Sequence, residues 1–144
     1  MKYLILALTF LFSYQIKGQV VKVEPIRPTS DKEFNLIFDL NQSADPRAKK
    51  LLGKTDDVYL WSGAGSNSEG NPFEFSPKDQ IKFSKPNPKG KLTYLGNNLW
   101  SIRLRPRTYF SVPDSIPIKI LGLVIKSGNG RAQTENFIID IYKD

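Results

Sequence analysis

Apolar residues in this chain recur at every second position, in short runs broken by turn residues. That period belongs to a strand with one face buried and the other wet. Phe34, Leu36, Phe38 and Leu40 alternate with Glu33, Asn35 and Asp39, which predicts a strand over residues 33–40. Phe137, Ile139 and Ile141 alternate in the same way with Asn136, Asp140 and Tyr142. Residues 116–126 carry Ile116, Ile118, Ile120, Leu121, Leu123, Val124 and Ile125, apolar on both parities, which predicts a central strand covered on both faces. Further strands are expected over residues 20–24, closed by Pro25 and Pro28, and over residues 57–62.

Residues 91–105 read as a hairpin. Leu92 and Tyr94 have one parity, and Trp100, Ile102 and Leu104 the other. A two-residue turn would put the two sets on opposite faces, so an odd connection, Gly96-Asn97-Asn98, is expected. Trp100 then points into the core, with Ser101, Arg103 and Arg105 outward. Residues 41–54 read as a polar loop with one helical turn over 47–52. Residues 62–71, rich in Gly, Ser and Asn, read as a long exposed loop. Residues 73–83 are expected to hold a short edge strand, because Pro77, Pro86 and Pro88 cannot donate to a ladder. No stretch of helical length shows a 3.6-residue period. Seven or eight short strands separated by turns make an antiparallel β-sandwich the expected all-β fold.

The chain starts with Met1-Lys2, continues nearly all apolar to Tyr14 and turns polar at Gln15-Ile16-Lys17-Gly18. This is the pattern of a secretory signal, too short for a spanning helix. A signal peptide over residues 1–18 and one domain over 19–144 follow, with no integral membrane segment after cleavage. The expected location is secreted, periplasmic or cell-surface. Cleavage leaves 19 basic residues against 14 acidic ones, a net charge of +5. That is basic without the concentration a nucleic-acid binder shows. A domain this size can bury about two-thirds of its unfolded surface, enough for stability without disulfides.

The chain has no histidine and no cysteine. A Ser-His-Asp triad, a cysteine nucleophile and the usual zinc site are therefore excluded. No Gly-rich phosphate loop and no calcium-loop spacing occur, so no cofactor and no metal is expected. The acids Glu69, Glu74, Asp79, Asp56 and Asp57 read as solvated loop residues. A glycosidase would need two of them facing each other across a cleft. No catalytic residue is assigned.

Binding chemistry is better represented. Tyr59 and Trp61 share one face of their strand, with Val58 and Leu60 on the other. If the aliphatic pair faces inward, the two rings form an exposed platform beside the long loop, near Phe73 and Phe75. Aromatic faces stack on sugar rings, and Asn67, Asn71 or Gln80 would supply hydrogen bonds. The competing position for Trp61 is the core. Lys78, Lys82, Lys85, Lys89 and Lys91 decorate the proline-rich edge, and Arg103, Arg105 and Arg107 line the hairpin. Such residues keep an edge from pairing with other molecules.

Five segments follow in order: Pro28-Thr29-Ser30-Asp31 with Phe34 to Asp39, Asp57-Val58-Tyr59-Leu60-Trp61-Ser62-Gly63, Leu95-Gly96-Asn97-Asn98-Leu99-Trp100, Tyr109 to Pro113, and Leu123 to Gly130. Together they resemble an immunoglobulin-like domain of secreted and outer-membrane proteins of Bacteroidetes, which often precedes glycoside hydrolase or starch-binding modules. Trp61 stands where that family often has histidine, and Phe73 or Phe75 where it has tryptophan. The resemblance implies an immunoglobulin-like sandwich, an exported location and carbohydrate-related work. Asp114-Ser115-Ile116 also resembles the O-glycosylation pattern of that phylum. The function expected is a non-catalytic binding module, carbohydrate-binding through Tyr59, Trp61, Asn67, Asn71, Phe73 and Phe75. The alternative is a structural or interaction domain of the envelope whose partner is another secreted protein.

Overall fold

Alternation fixes which side chains each strand hides, and two such faces close on each other. The computed structural model describes residues 18–144; the leader expected before Gln19 lies outside the described residues, apart from Gly18. Seven strands follow in order: β1 (Val21–Glu24), β2 (Phe34–Asp39), β3 (Val58–Gly65), β4 (Thr93–Gly96), β5 (Leu99–Leu104), β6 (Ile120–Ser127) and β7 (Phe137–Asp140). They form two antiparallel sheets, β1-β2-β5-β4 and β3-β6-β7. The fold is all-β. The helical pieces among the described residues are one or two turns long, among them the 3-10 helix Pro46–Leu51 and α1 (Pro106–Tyr109). No helix among the described residues is long and apolar enough to cross a membrane.

The core lies between the sheets. Phe34, Leu36 and Phe38 of β2 and Trp100 and Leu104 of β5 face Val58, Leu60 and Ala64 of β3 and Leu121, Leu123 and Ile125 of β6. β6 is buried along its whole length, as a strand apolar on both parities requires. The hairpin obeys its parity by a different device from the one expected. Its turn has two residues, Asn97 and Asn98, both in the left-handed region at φ 51° and 62°. The extra residue comes from a bulge between Tyr94 and Gly96, so Tyr94 still lies opposite Trp100. The short side chain of asparagine tolerates that backbone.

β3 differs more. It runs on to Gly65, so Gly63, Ala64 and Gly65 are buried strand rather than the start of an exposed loop. The glycines are needed because another segment lies directly on the outer face of β3. The residues 73–83 expected as an edge strand form only one isolated bridge, Phe75 to Ala64. The rest of residues 66–91 is an irregular strap along the free edge of β3.

That strap meets the open edge almost group by group. Even-numbered residues of β3 aim their backbone groups away from β6. Leu92 N–H donates to Val58 O at 2.9 Å, and Asn87 Nδ2 donates to Leu60 O at 2.8 Å. Gln80 imitates a strand residue: its Oε1 accepts from Ser62 N at 2.9 Å and its Nε2 donates to Ser62 O at 2.7 Å. Phe75 and Ala64 exchange two backbone bonds at 2.9 and 3.0 Å. Unpaired edge groups invite another chain; here side-chain amides and a short backbone bridge occupy them.

Candidate functional site

The outer face of β3 and β6 is where the strap and the sheet build a concavity. Three register rows cross it: Tyr59–Lys126, Trp61–Val124 and Gly63–Gly122. The glycine row leaves bare backbone, and Pro72-Phe73 settles on it. A Cβ added to Gly122 would stand 2.7 Å from Phe73 Cε2, so the ring of Phe73 lies on the sheet itself. Asn71 Oδ1 accepts from Phe73 N at 2.9 Å and sets that turn. At the other end, Phe83 packs against Gly130, whose added Cβ would lie 2.8 Å from Phe83 Cδ1. The middle row stays open. Trp61, Val124, Phe73 and Phe83, with Gln133 and Asn136 from the segment before β7, line a pocket of about 320 Å³. Trp61 and Phe83 meet edge to face, with centroids 5.2 Å apart and planes inclined by 69°.

Lys126 shares the sheet face with these rings yet is fully buried. Its amino group donates to Lys85 O at 3.1 Å, Ser127 O at 3.1 Å and Gly128 O at 3.2 Å. It lies 5.4 Å from the ring centroids of both Tyr59 and Phe83. Burial pushes its pKa below the usual lysine value, and Asp57 opposes that shift. The lysine pins the β6 turn to the strap and sets the Phe83 ring.

The sequence placed Tyr59 on an exposed platform, and the structure corrects this. Tyr59 does share the outward parity of Trp61, but it is only 8% exposed. Lys126 lies over its ring, and the bridge between Tyr59 and Lys91 brings the strap alongside it at the edge of β3. Trp61 is half-buried and faces the pocket, as does Phe73. Phe75 turns the other way and packs against the core. Asn67 and Asn71 are exposed, and each spends its Oδ1 on a local turn, to Glu69 N and Phe73 N. Gln80 is committed to the edge of β3. Phe83, Gln133 and Asn136 join the site from outside the set expected from sequence. The only signal for Phe83 was its apolar character in a polar, lysine-rich stretch, and nothing marked the two amides.

Four of the five loop acids are engaged elsewhere, and Glu69 is exposed. Glu74 Oε1 accepts from Ser66 N at 3.0 Å and Ser66 Oγ at 2.6 Å, Asp79 Oδ2 accepts from Lys89 N at 2.7 Å, and Asp56 and Asp57 pair with Lys91 and Lys54. The aromatic pocket contains no carboxylate. Two other concavities hold a single one each: Asp140 in a groove between β1 and β7, and Glu33 beside Lys89, Arg103 and Arg105. Arg107 leaves the basic stripe expected of it, since its guanidinium donates to Pro113 O and Ile116 O and pairs with Asp31. Among the described residues no group of three or more acidic side chains is placed to hold a metal ion. Asp114 and Ser115 are exposed in a turn closed by Ile116 N and Pro113 O. No family model and no curated protein matches the chain.

Proposed function

We propose that this protein is an exported, non-catalytic binding module whose ligand is a carbohydrate held in the Trp61 pocket. The observation that carries this is the pocket's composition. Three aromatic rings and a valine supply apolar contact, and two carboxamides complete the lining. A sugar has the matching surface: apolar C–H faces ringed by hydroxyls. Stacking takes the former, while the Gln133 and Asn136 amides each donate and accept for the latter. The volume lies at the lower end of what ligand sites show. The strand order supports the immunoglobulin-like assignment, because A-B-E-D over C-F-G is the arrangement of the constant-type sandwich.

Affinity electrophoresis through gels containing soluble glucans, xylans and mannans tests the proposal. Retardation is expected for at least one polymer, and Trp61→Ala should weaken it by roughly tenfold, about 1.4 kcal/mol. Tyr59→Phe should leave it unchanged, because that hydroxyl does not line the pocket. No retardation on any polymer, or full retention by the alanine variant, removes the proposal.

One observation favours a second reading, a protein-docking module. Ile141 N donates to Lys119 O on the β6 side while Tyr142 N donates to Pro28 O on the opposite side. Strand alternation then aims the backbone groups of Ile138 and Asp140 away from β6, along an edge next to a groove of about 990 Å³ that includes Val21, Val23 and Ile26. Ile26 and Ile138 are 86% and 60% exposed there. An extended segment of another exported protein would add as a strand on that edge. Ile138→Lys would abolish capture of such a partner and leave glycan retardation intact.

A further inference from the structure

We propose that the pocket takes one residue at the end of an uncharged glycan chain and does not lie along an extended or planar polymer. This rests on the carbohydrate reading and narrows it by shape and by charge.

Shape comes first. A flat sugar surface is matched by rings lying in one plane. Trp61 and Phe83 are inclined by 69°, so no single plane lies flat against both. They form a corner. Phe73 at the Gly63–Gly122 row and Phe83 at the Tyr59–Lys126 row close the two ends of the Trp61–Val124 row. Those end rows are four strand residues apart, about 13 Å along the backbone, and two aromatic side chains take up part of that length. What remains is a short bay along the strand direction. A chain of several sugars laid that way would have to pass through Phe73 or Phe83, whereas a chain end enters from above.

Charge is the second constraint. None of the six lining residues ionises. A carboxylate or sulfate seated there would lose its water without gaining a cationic partner, and the negative faces of the rings would oppose it. The nearest buried cation is no help. An ammonium has three N–H donors, and Lys126 has three carbonyl acceptors around it, at 3.1, 3.1 and 3.2 Å. Its N–H groups are all taken, so it offers a ligand no hydrogen bond, and it does not line the pocket. The carboxamides of Gln133 and Asn136 suit hydroxyls in either donor or acceptor role, and they discriminate against nothing neutral.

The test is titration calorimetry on the purified wild-type protein with three sets of probes. The first is a length series of neutral oligosaccharides, built from glucose, xylose or mannose. The second is oligogalacturonate and chondroitin sulfate as acidic counterparts. The third is insoluble cellulose, read by depletion. For the sugar recognised, affinity should level off at short length, change less than about twofold between low and high salt, and fall roughly tenfold in Phe83→Ala or Phe73→Ala. Affinity that keeps climbing with chain length, preference for the acidic probes, salt-dependent binding, or retention on cellulose overturns the inference and leaves the carbohydrate reading standing. Failure of every probe, neutral and acidic alike, overturns both. Thermal melting of each phenylalanine variant separates loss of the pocket from loss of the fold. If either variant is unfolded, Phe83→Leu, which keeps apolar volume and loses the ring, is judged by the same tenfold criterion.

Discussion

Replacing Gln80 by leucine should destabilise this protein far more than replacing a loop residue usually does. The Gln80 side chain occupies two backbone groups of Ser62, at 2.9 and 2.7 Å, and both residues are buried. Leucine is of similar size and fills the space without bonding. It therefore strands one buried N–H and one buried C=O, at about 1–3 kcal/mol each. The expected loss is about 2–6 kcal/mol, a large share of the roughly 5–15 kcal/mol that holds a domain together. At this chain length each kcal/mol shifts the midpoint by about 4 °C, so melting should come at least roughly 8 °C lower. Gln80→Ala should cost less, because the smaller side chain lets water reach the two groups and bond them. Urea unfolding followed by tryptophan fluorescence measures both. A second readout is self-association, since the uncovered edge of β3 is free to pair with another chain. Stability within about 1 kcal/mol of wild type for the leucine variant, or an alanine variant less stable than the leucine one, would refute the idea that the amide substitutes for a strand.

Other outcomes follow from the same contacts. Gly122→Ala puts a methyl 2.7 Å from Phe73 Cε2 and 3.0 Å from Pro72 Cβ; overpacking of this kind costs about 1–3 kcal/mol, and glycan affinity should fall with it because the ring must leave its seat. Calorimetry and melting of one sample read both. Burial, and secondarily the Asp79 carboxylate, push the Tyr109 phenol above its ordinary 10.0. The unfolded chain then releases that proton first, so the contribution is complete below pH 10 and is lost as pH rises beyond it. Wild type should lose stability relative to Tyr109→Phe above that pH, and parallel pH profiles would count against the assignment. Lys126→Met leaves Lys85 O, Ser127 O and Gly128 O without their donor. A loss of about 1–3 kcal/mol is expected, together with a blue shift in Trp61 fluorescence if Phe83 relaxes onto it; unchanged melting and emission would show that the amino group pins nothing.

What could be read from the residues was whatever depends on parity. β2, β5 and β7 lie where alternation puts them, β6 is the strand expected from apolar residues on both parities but begins at Ile120 and not at Ile116, and Trp100 is in the core because the bulge preserves the expected offset. Parity also put Tyr59 and Trp61 on one face, which the inward-facing Val58 and Leu60 make the outer one. It is silent on whether something else in the chain covers that face, and so it could not separate the buried Tyr59 from the half-open Trp61. The glycines of β3 hide their role for a related reason. Gly63 and Gly65 look like loop residues in isolation, yet they are strand residues whose missing side chains make room for residues 71–73. Gln80 and Asn87 complete a sheet edge 18 and 27 residues away. No local pattern encodes such a partner, because the geometry that makes an amide stand in for a peptide unit exists only after the strap has docked.

The strap therefore has two roles that cannot be separated. Its amides close the edge of β3, and the same stretch carries Phe73 and Phe83 to the two ends of the pocket. A ligand seated between those rings holds the strap down, and by linkage it stabilises the whole domain by RT ln(1 + [L]/Kd), about 2.7 kcal/mol at a hundredfold excess over Kd. In the Gln80→Leu variant the strap is looser before binding, so part of the ligand's interaction energy goes into re-docking it. The ligand should bind that variant more weakly than wild type even though residue 80 does not line the pocket. Equal affinity in the two proteins, with the stability difference intact, would mean that the edge and the pocket are energetically independent.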